Sequence, residues 1–236
     1  MALPILNDKP KYHLTVPSTG KDVRYRPYLV KEEKILMMAL ESQDKQQTLD
    51  AIVDTIMACV EGDIKRDDLT VFDIEYIFLK IRSKSVGEKI TIGLKCTVCD
   101  KPNEVDIVVD DVPVPAVKKD DAVIELDKNI YLTMRYPNFK DMGEMDLIED
   151  VTDTEKTFEL ITKCLHSVQT GDENILIADE PKANVNAFIE SLSAAQFEKI
   201  KNFVQNMPRL EKEVKFKCAH CESENSGILR GIEDFF

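Results

Sequence analysis

Two short stretches decide how this sequence folds: Lys95-Cys-Thr-Val-Cys99 and Lys217-Cys-Ala-His-Cys221. Each contains a C-x-x-C motif that follows a run of alternating apolar and polar residues and precedes a short polar turn. One C-x-x-C turn presents two thiolates to one face of a tetrahedral metal, so a second pair is needed to close the site. The sequence therefore predicts a structural zinc site, one per chain. Its predicted ligands are Cys96, Cys99, Cys218 and Cys221.

The order of the predicted elements around the two motifs indicates an internal duplication. Residues 11–28 alternate as a β-hairpin does, and helical periodicity follows until the strand that leads into Cys96. Residues 125–136 begin the same order again, which continues to the strand before Cys218. We therefore predict an α+β fold of two related halves in a pseudo-two-fold arrangement that share one zinc site. The predicted halves are residues 1–111 and 125–236, and a Pro-containing linker covers residues 112–124.

The helices are predicted from apolar residues that recur every three to four positions and from capping residues. In the first half they cover residues 31–41, residues 49–60 and a segment that begins after the N-cap Thr70, with Asp73 completing a capping box. In the second half they cover residues 141–150, a segment with Phe158, Ile161, Leu165 and Val168 on one face, and a segment that begins after the N-cap Ser193. Residues 170–184 are longer than residues 61–67, their counterpart, and are interpreted as an inserted loop.

The chain is strongly acidic. Its 236 residues include 31 Lys and Arg against 44 Asp and Glu, which gives a formal net charge of -13. A field of this sign repels phosphate, whereas non-specific binding to DNA or RNA depends on clustered Lys and Arg. Zinc ribbons often bind nucleic acid, so a zinc-ribbon nucleic-acid-binding factor stays open as an alternative, although the charge argues against a nucleic-acid partner.

The expected compartment determines how the cysteines are interpreted. The apolar stretch from Met1 to Leu6 has no basic segment and no small-residue cleavage site, so we expect no signal peptide. No run approaches the ~18 apolar residues that a membrane span requires. We therefore expect a soluble protein without a membrane partner that folds in a reducing cytosol. In that compartment a C-x-x-C motif indicates a metal or redox site before a disulfide.

The sequence leaves other uses of the cysteines open. Thioredoxin-like redox chemistry needs a C-x-x-C at a helix N-terminus, whereas both motifs lie between predicted strands. A pair of turns that has lost its metal is a further alternative. His220 lies inside the second motif and could replace a cysteine ligand, although we expect it to face solvent. Cys59 and Cys164 fall in helical apolar stripes and are expected to be small core residues.

The sequence contains no catalytic constellation. Its three histidines do not stand at metal-ligand spacing on one helix face, and the G-x-S-x-G, G-x-G-x-x-G and P-loop patterns are missing. Zinc held by four thiolates has no open position for a reactive water. We therefore expect a non-enzyme that acts through its surface. The candidate contact segments are residues 3–6, Met37 with Met38, and Phe235 with Phe236; each has a core alternative, which is the expected one for the two methionines.

Several strings in the sequence match those of a known family in order and spacing. They are Met1-Ala-Leu-Pro, Pro17-Ser-Thr-Gly20, Arg24-Tyr-Arg-Pro-Tyr-Leu-Val-Lys-Glu-Glu-Lys34, Phe72-Asp-Ile-Glu-Tyr-Ile-Phe-Leu79 and Arg82-Ser-Lys-Ser-Val-Gly-Glu88, with the first C-x-x-C just after them. With these strings the chain resembles the T4-like bacteriophage baseplate hub subunit family. The resemblance is densest in the first half and thinner in the second.

The resemblance implies a non-enzymatic role in building the central hub of the phage tail baseplate. It implies assembly in the cytoplasm of the infected cell, with other baseplate hub proteins and the tape-measure protein as partners. It supplies no catalytic residues. A component that stays in the virion and an assembly chaperone that leaves it are both compatible with the resemblance.

Overall fold

The computed structural model describes residues 10–117, 122–146 and 152–235. Helices and small antiparallel sheets follow one another along the chain, which confirms the predicted α+β class. The strands are β1 (Tyr12–Thr15), β2 (Asp22–Tyr25), β3 (Val60–Glu61), β4 (Lys89–Lys95), β5 (Pro102–Val108), β6 (Val123–Asp127), β7 (Ile130–Met134), β8 (Leu165–Thr170), β9 (Glu173–Leu176), β10 (Glu211–Lys217) and β11 (Glu224–Arg230). The helices are α1 (Val30–Ser42), α2 (Lys45–Cys59), α3 (Val71–Val86), α4 (Phe139–Asp146), α5 (Asp153–Cys164), α6 (Lys182–Glu190) and α7 (Ala194–Gln205). None of these helices has both the length and the apolar composition that crossing a membrane requires.

The chain divides into two compact units. Unit 1 consists of Met1–Ala116 and Arg209–Phe236, and unit 2 consists of Val117–Pro208. These units do not coincide with the predicted halves, because the hairpin β10–β11 belongs to unit 1 together with the hairpin β4–β5. The unit that a hairpin joins depends on the apolar residues it packs against, and the order of elements along the chain does not reveal them.

Unit 1 is built around α3. This helix buries Ile77, Phe78, Leu79 and Ile81 completely, as expected for a helix that is covered on more than one side. The helix α2 packs against both α1 and α3, and the strands β1, β2 and β3 form a small antiparallel sheet. The local order of hairpin followed by helices therefore agrees with the sequence analysis.

The two C-x-x-C hairpins share one apolar cluster with α3. The cluster includes Leu79 of α3, Ile107 of β5, Leu229 of β11 and Phe235, which follows β11 in the sequence. Phe235 is completely buried, so of the two alternatives for this side chain the core one is confirmed and the partner contact is wrong. Phe236 and residues 3–6, which carried the same interpretation, lie outside the described residues.

The predicted helix starts at Thr70 and Ser193 are confirmed. The hydroxyl of Thr70 accepts from the N–H of Asp73 at 3.3 Å, and the hydroxyl of Ser193 accepts from the N–H of Gln196 at 3.4 Å. In both helices the side chain at the third position returns a hydrogen bond to the N-cap, which completes a capping box. Such a cap stabilises a helix by ~1 kcal/mol.

The helices α1 and α2 confirm the segments predicted over residues 31–41 and 49–60, with α2 ending one residue earlier, at Cys59. Their burial differs from the expectation at Met37 and Met38, which are 56% and 61% exposed. The prediction that these two side chains are core residues is therefore wrong. The reason is that α1 turns a different face to the interior, the one that carries Leu36 and Ala39.

The described residues of unit 2 contain one antiparallel sheet and four α-helices. The strand order is β6-β7-β8-β9. Its core includes Leu132 from β7, Ile161 from α5, Val185 from α6 and Ile200 from α7. The sheet therefore has its apolar residues covered by helices that come from the same continuous segment of chain.

Two predictions in unit 2 are wrong. Leu165 and Val168, predicted on a helix face, lie in β8, where they pair with residues of β7. Pairing with β7 buries Leu165, and this tertiary contact overrides the helical spacing of the apolar residues. Residues 170–184 are not simply a loop, because they contain β9 and the start of α6. The helix predicted over residues 141–150 is α4 as far as residue 146, and residues 147–150 lie outside the described part.

The two units repeat one backbone contact. The N–H of Arg26 donates to the carbonyl of Cys59 at 3.0 Å, and the N–H of Arg135 donates to the carbonyl of Cys164 at 2.7 Å. In each case the residue after a hairpin contacts the last residue of a helix that leads directly into a strand. The internal duplication stays a prediction, and it would account for this correspondence.

Candidate metal centre

Each C-x-x-C motif forms the turn of a two-stranded hairpin, β4–β5 for the first motif and β10–β11 for the second. In the first turn the N–H of Cys96 donates to the carbonyl of Lys101 at 3.0 Å, and in the second the N–H of Cys218 donates to the carbonyl of Ser223 at 2.9 Å. The residue after the second cysteine of each motif has a left-handed backbone, which turns the chain back towards the returning strand. These residues are Asp100, with φ of 58°, and Glu222, with φ of 60°.

The four predicted ligand residues lie together in unit 1, and all four sulfur atoms are within 4.8 Å of one another. The Sγ atoms of Cys96 and Cys221 are 3.6 Å apart, and those of Cys99 and Cys218 are 3.7 Å apart. In a regular tetrahedron with metal–sulfur bonds of ~2.3 Å, the sulfurs are separated by about 3.8 Å. The cluster therefore has the dimensions of a possible four-thiolate metal site.

Two buried asparagines join the turns to each other in a reciprocal manner. The N–H of Thr97 donates to Oδ1 of Asn225 at 2.9 Å, and the N–H of Ala219 donates to Oδ1 of Asn103 at 2.8 Å. The amide NH2 group of each asparagine donates at 3.0 Å to a carbonyl of its own hairpin. Each hairpin thus gives the other the same contact that it receives. The two short sulfur–sulfur distances, each between the first cysteine of one motif and the second cysteine of the other, follow the same pattern. The site therefore has approximate local two-fold symmetry.

Several donors lie next to the sulfur atoms. The N–H of Val98 is 3.4 Å from the sulfur of Cys96, and the N–H of His220 is 3.4 Å from the sulfur of Cys218. The hydroxyl of Ser223 lies 3.2 Å from the sulfur of Cys96. Hydrogen-bond donors at these positions favour the thiolate, which is the form of cysteine that binds metals.

These contacts separate the pKa values of the clustered thiols. The hydroxyl of Ser223 and backbone N–H groups lower the pKa of Cys96 to about 5. Desolvation raises the pKa of Cys218, but backbone N–H groups of its own turn outweigh desolvation and lower the pKa overall. A backbone N–H lowers the pKa of Cys99, but desolvation and the neighbouring cysteines outweigh it and raise the pKa to about 12. Negative charge on one sulfur thus hinders ionisation of the next, and a bound cation would remove this conflict.

The other candidate residues lie apart from the cluster. His220 is exposed, as expected, and is not a member of the cysteine group. Cys59 and Cys164 are buried, which confirms that they are core residues, and burial raises their pKa values to about 11 and about 12. Both motifs lie between strands rather than at a helix N-terminus, the position at which a helix dipole activates a redox thiol.

Asn103 and Asn225 belong to the site but were not predicted from the sequence. A signal for them exists, because each lies four residues after the second cysteine of its motif, so that both motifs extend to C-x-x-C-x-x-x-N. Their role depends on a contact across two hairpins that are far apart in the sequence. Ser223 has no such signal, because Lys101 stands at the corresponding position of the first motif.

The fold and the cluster define an α+β protein in which four cysteines from two hairpins form a candidate metal centre. A family model described as T4 bacteriophage base plate protein matches residues 9–236, and the chain belongs to this family. The match confirms the resemblance to a phage baseplate protein, and it suggests a structural or assembly role in the tail together with contacts to other tail proteins. No curated protein and no solved structure matches the chain.

Proposed function

We propose that this protein is a non-enzymatic structural or assembly component of the baseplate hub that acts through contacts with other hub proteins. The family match over residues 9–236 is the observation that carries the proposal. Four thiolates would occupy all four coordination positions of a tetrahedral metal ion, so the ion would have no open position for water or substrate. The net charge of -13 favours protein partners over nucleic acid.

We also propose that the cluster holds one structural zinc ion per chain. An all-sulfur tetrahedral site suits zinc, and the sulfur spacing fits it. The paired ligands are 125 and 119 residues apart along the chain, so the ion would join two hairpins that the sequence separates widely. A two-stranded hairpin is marginally stable on its own, whereas zinc binding supplies about 10–16 kcal/mol in zinc-finger peptides. The zinc would therefore stabilise the part of unit 1 that contains both hairpins.

Substitution with Co²⁺ tests the ligand set directly. A tetrahedral thiolate site gives intense Co²⁺ absorption bands, and we expect them to saturate at one equivalent per chain. Cys96→Ser and Cys218→Ser should each weaken the bands, because each removes one ligand. Cys59→Ala, which removes a buried thiol outside the cluster, should leave them unchanged. Failure to bind Co²⁺ at neutral pH, or an unchanged spectrum in Cys96→Ser, would contradict the proposed site.

The hub role has two versions that differ in the final location of the protein. A structural component stays in the tail baseplate of the mature virion. An assembly chaperone acts in the host cytoplasm on the tape-measure protein and is absent from the virion. The structural version is the principal proposal because the family is described as a base plate protein, and the chaperone version is its alternative.

Affinity capture and virion analysis distinguish these versions. The full chain with an affinity tag is expressed in infected cells, and captured proteins are compared with those bound by the tag alone. We expect hub proteins in the captured set and the chain itself in purified virions. Capture of the tape-measure protein with absence from virions would favour the chaperone. If neither hub nor tape-measure proteins are captured and virions lack the chain, the proposed function is wrong.

A further inference from the structure

The helix α1 has an unusually apolar surface. Its inward face contains Leu36 and Ala39. Five large apolar side chains of the same helix are exposed by more than half. Val30 (78%) lies at the start of the helix, and the other four lie further along it: Ile35 (53%), Met37 (56%), Met38 (61%) and Leu40 (53%). Adjacent exposed apolar side chains on this scale are typical of surfaces that contact another protein. Met side chains adapt readily to such a surface.

The outward stripe of α1 has a defined order of residues. Lys34, Met37, Met38 and Glu41 are spaced i, i+3, i+4 and i+7, so they lie on one side of the helix. The stripe has a positive residue at one end, two methionines in the centre and a negative residue at the other end. Among the described residues neither Lys34 nor Glu41 takes part in an ion pair within the chain.

This order is self-complementary when a second α1 runs antiparallel. If the two helices cross between Met37 and Met38, Met37 of one copy meets Met38 of the other. Lys34 then meets Glu41 of the second copy, and this pair occurs twice because the interface is symmetric. Ile35 and Leu40 lie at the two opposite sides of the stripe. A parallel second copy would instead place Lys34 against Lys34 and Glu41 against Glu41.

We propose that α1 is the interface of a two-fold homodimer in which two copies of this helix pack antiparallel. The apolar side chains supply the attraction, because exposed ion pairs contribute only ~0.2–1 kcal/mol each. The Lys34–Glu41 pairs set the direction and the register of the helices. They also leave the stripe neutral on a chain whose net charge of -13 otherwise repels a second copy. The proposal does not rest on zinc or on the baseplate role.

Charge-swap variants of the full chain test the proposal, with sedimentation velocity at several protein concentrations as the measurement. We expect the wild type to form dimers as concentration rises. Lys34→Glu and Glu41→Lys should each raise the dimer dissociation constant about tenfold, because two attractive pairs become repulsive. The double variant Lys34→Glu/Glu41→Lys should restore dimerisation to near the wild-type level. Lys128→Glu has the same change in net charge as Lys34→Glu but lies in the β6–β7 turn, and it should have no effect.

A second variant tests the apolar centre of the interface. Met37→Asp combined with Met38→Asp places four carboxylates at the two-fold axis and should abolish the dimer, while an unchanged far-ultraviolet circular dichroism spectrum shows that the fold is retained. The proposal is overturned by a monomeric wild type at all concentrations, by a dimer that survives this variant, or by a double charge swap that fails to restore association. Binding of α1 to a different tail protein without self-association would also overturn it.

Discussion

Units 1 and 2 can be compared at the point where a hairpin leads into a helix. In unit 1, Arg26 pairs with Glu32 at 3.0 Å, and in unit 2, Arg135 pairs with Asp141 at 2.6 Å. In both pairs the acid lies six residues after the arginine and is almost completely buried. The same type of ion pair, between an arginine and a buried carboxylate, therefore lies at the start of the helical segment in both units.

The two units differ in how their cores are completed. Unit 2 covers its sheet with helices from the same continuous segment, Val117–Pro208. Unit 1 instead includes Arg209–Phe236, which follows unit 2 in the sequence. The four clustered cysteines lie on the two hairpins of unit 1, and the described part of unit 2 contains no comparable group of His, Cys, Asp and Glu side chains. The comparison indicates that the candidate metal site serves the unit that is assembled from two distant segments.

Removing a metal ligand should affect the two units very differently. Cys218→Ser should destabilise the hairpins of unit 1 by more than about 4 kcal/mol, because loss of a structural metal is among the most damaging single changes. Hydrogen exchange measures this effect strand by strand, and protection should be lost in β4, β5, β10 and β11. Protection in β7 and β8 should stay as in the wild type. Equal loss of hydrogen-exchange protection in both units would contradict a metal site that stabilises unit 1 alone. Cys59→Ala is the matched control, because it removes a buried thiol and keeps the cluster intact.

The burial of Phe235 gives the next largest expected effect. Phe235→Ala should lower the free energy of unfolding of unit 1 by about 3–5 kcal/mol, the usual cost of emptying a buried aromatic site. Denaturant unfolding measures the change. Phe158→Ala in unit 2 is the matched control, because Phe158 is 42% exposed and should cost much less. Similar costs for the two substitutions would show that the C-terminal residues do not belong to the core.

The reciprocal asparagines test the symmetry of the site. Asn103→Ala and Asn225→Ala each leave a backbone N–H of the opposite turn without its acceptor. Each should weaken zinc affinity by about 10–100-fold, the usual effect of removing a residue that orients metal ligands. Competition with a chelator measures the affinity, and Asn174→Ala, on the exposed strand β9, should leave it unchanged. A large effect from only one of the two asparagines would contradict the two-fold arrangement.

The paired acids Glu32 and Asp141 predict a common dependence on pH. Burial raises the pKa of each carboxyl, but hydrogen bonds from an arginine and a backbone N–H outweigh burial, so both pKa values are lower in the folded chain than their ordinary values. A lowered folded pKa means that the stabilisation is present above the ordinary pKa. It is lost as the pH falls through the folded pKa.

Substitution of either acid should therefore reduce this dependence. Glu32→Gln and Asp141→Asn should each lower the free energy of unfolding at neutral pH by about 1–3 kcal/mol and flatten its decline in acid. Denaturant unfolding between neutral pH and about pH 3 measures the profile. Asp172→Asn, an exposed change of the same kind in the β8–β9 turn, should leave the profile as in the wild type. If Glu32→Gln and Asp141→Asn both kept the wild-type pH profile, the stabilising ion pairs of these acids with Arg26 and Arg135 would be refuted.

The sequence predicted those features that depend on local spacing. Helical periodicity and capping residues located α1, α2, α3 and α7, and the repeated C-x-x-C motifs identified the four clustered cysteines. The features that depend on distant contacts were missed. Leu165 and Val168 keep helical spacing but join the sheet because β7 is available for pairing. Periodicity alone also did not show which side of α1 faces the interior, so Met37 and Met38 were assigned to the core.

The division into units could not be predicted for the same physical reason. The hairpin β10–β11 follows unit 2 in the sequence, but its side chains pack with Leu79 of α3 and Ile107 of β5. Pairing of Asn103 and Asn225 with the opposite turns is also set by this packing. Contacts over more than 100 residues leave no periodic signal, although the repeated position of the two asparagines was visible in the sequence.

We propose that one zinc ion joins the two hairpins of unit 1 through Cys96, Cys99, Cys218 and Cys221. Native mass spectrometry of the purified full chain measures the metal content of each molecule. We expect one zinc per chain, and none in Cys96→Ser or in Cys218→Ser, because the two motifs contribute to the same ion. Two zinc ions per chain, no zinc in the wild type, or zinc retained when one motif is disrupted would contradict the shared site.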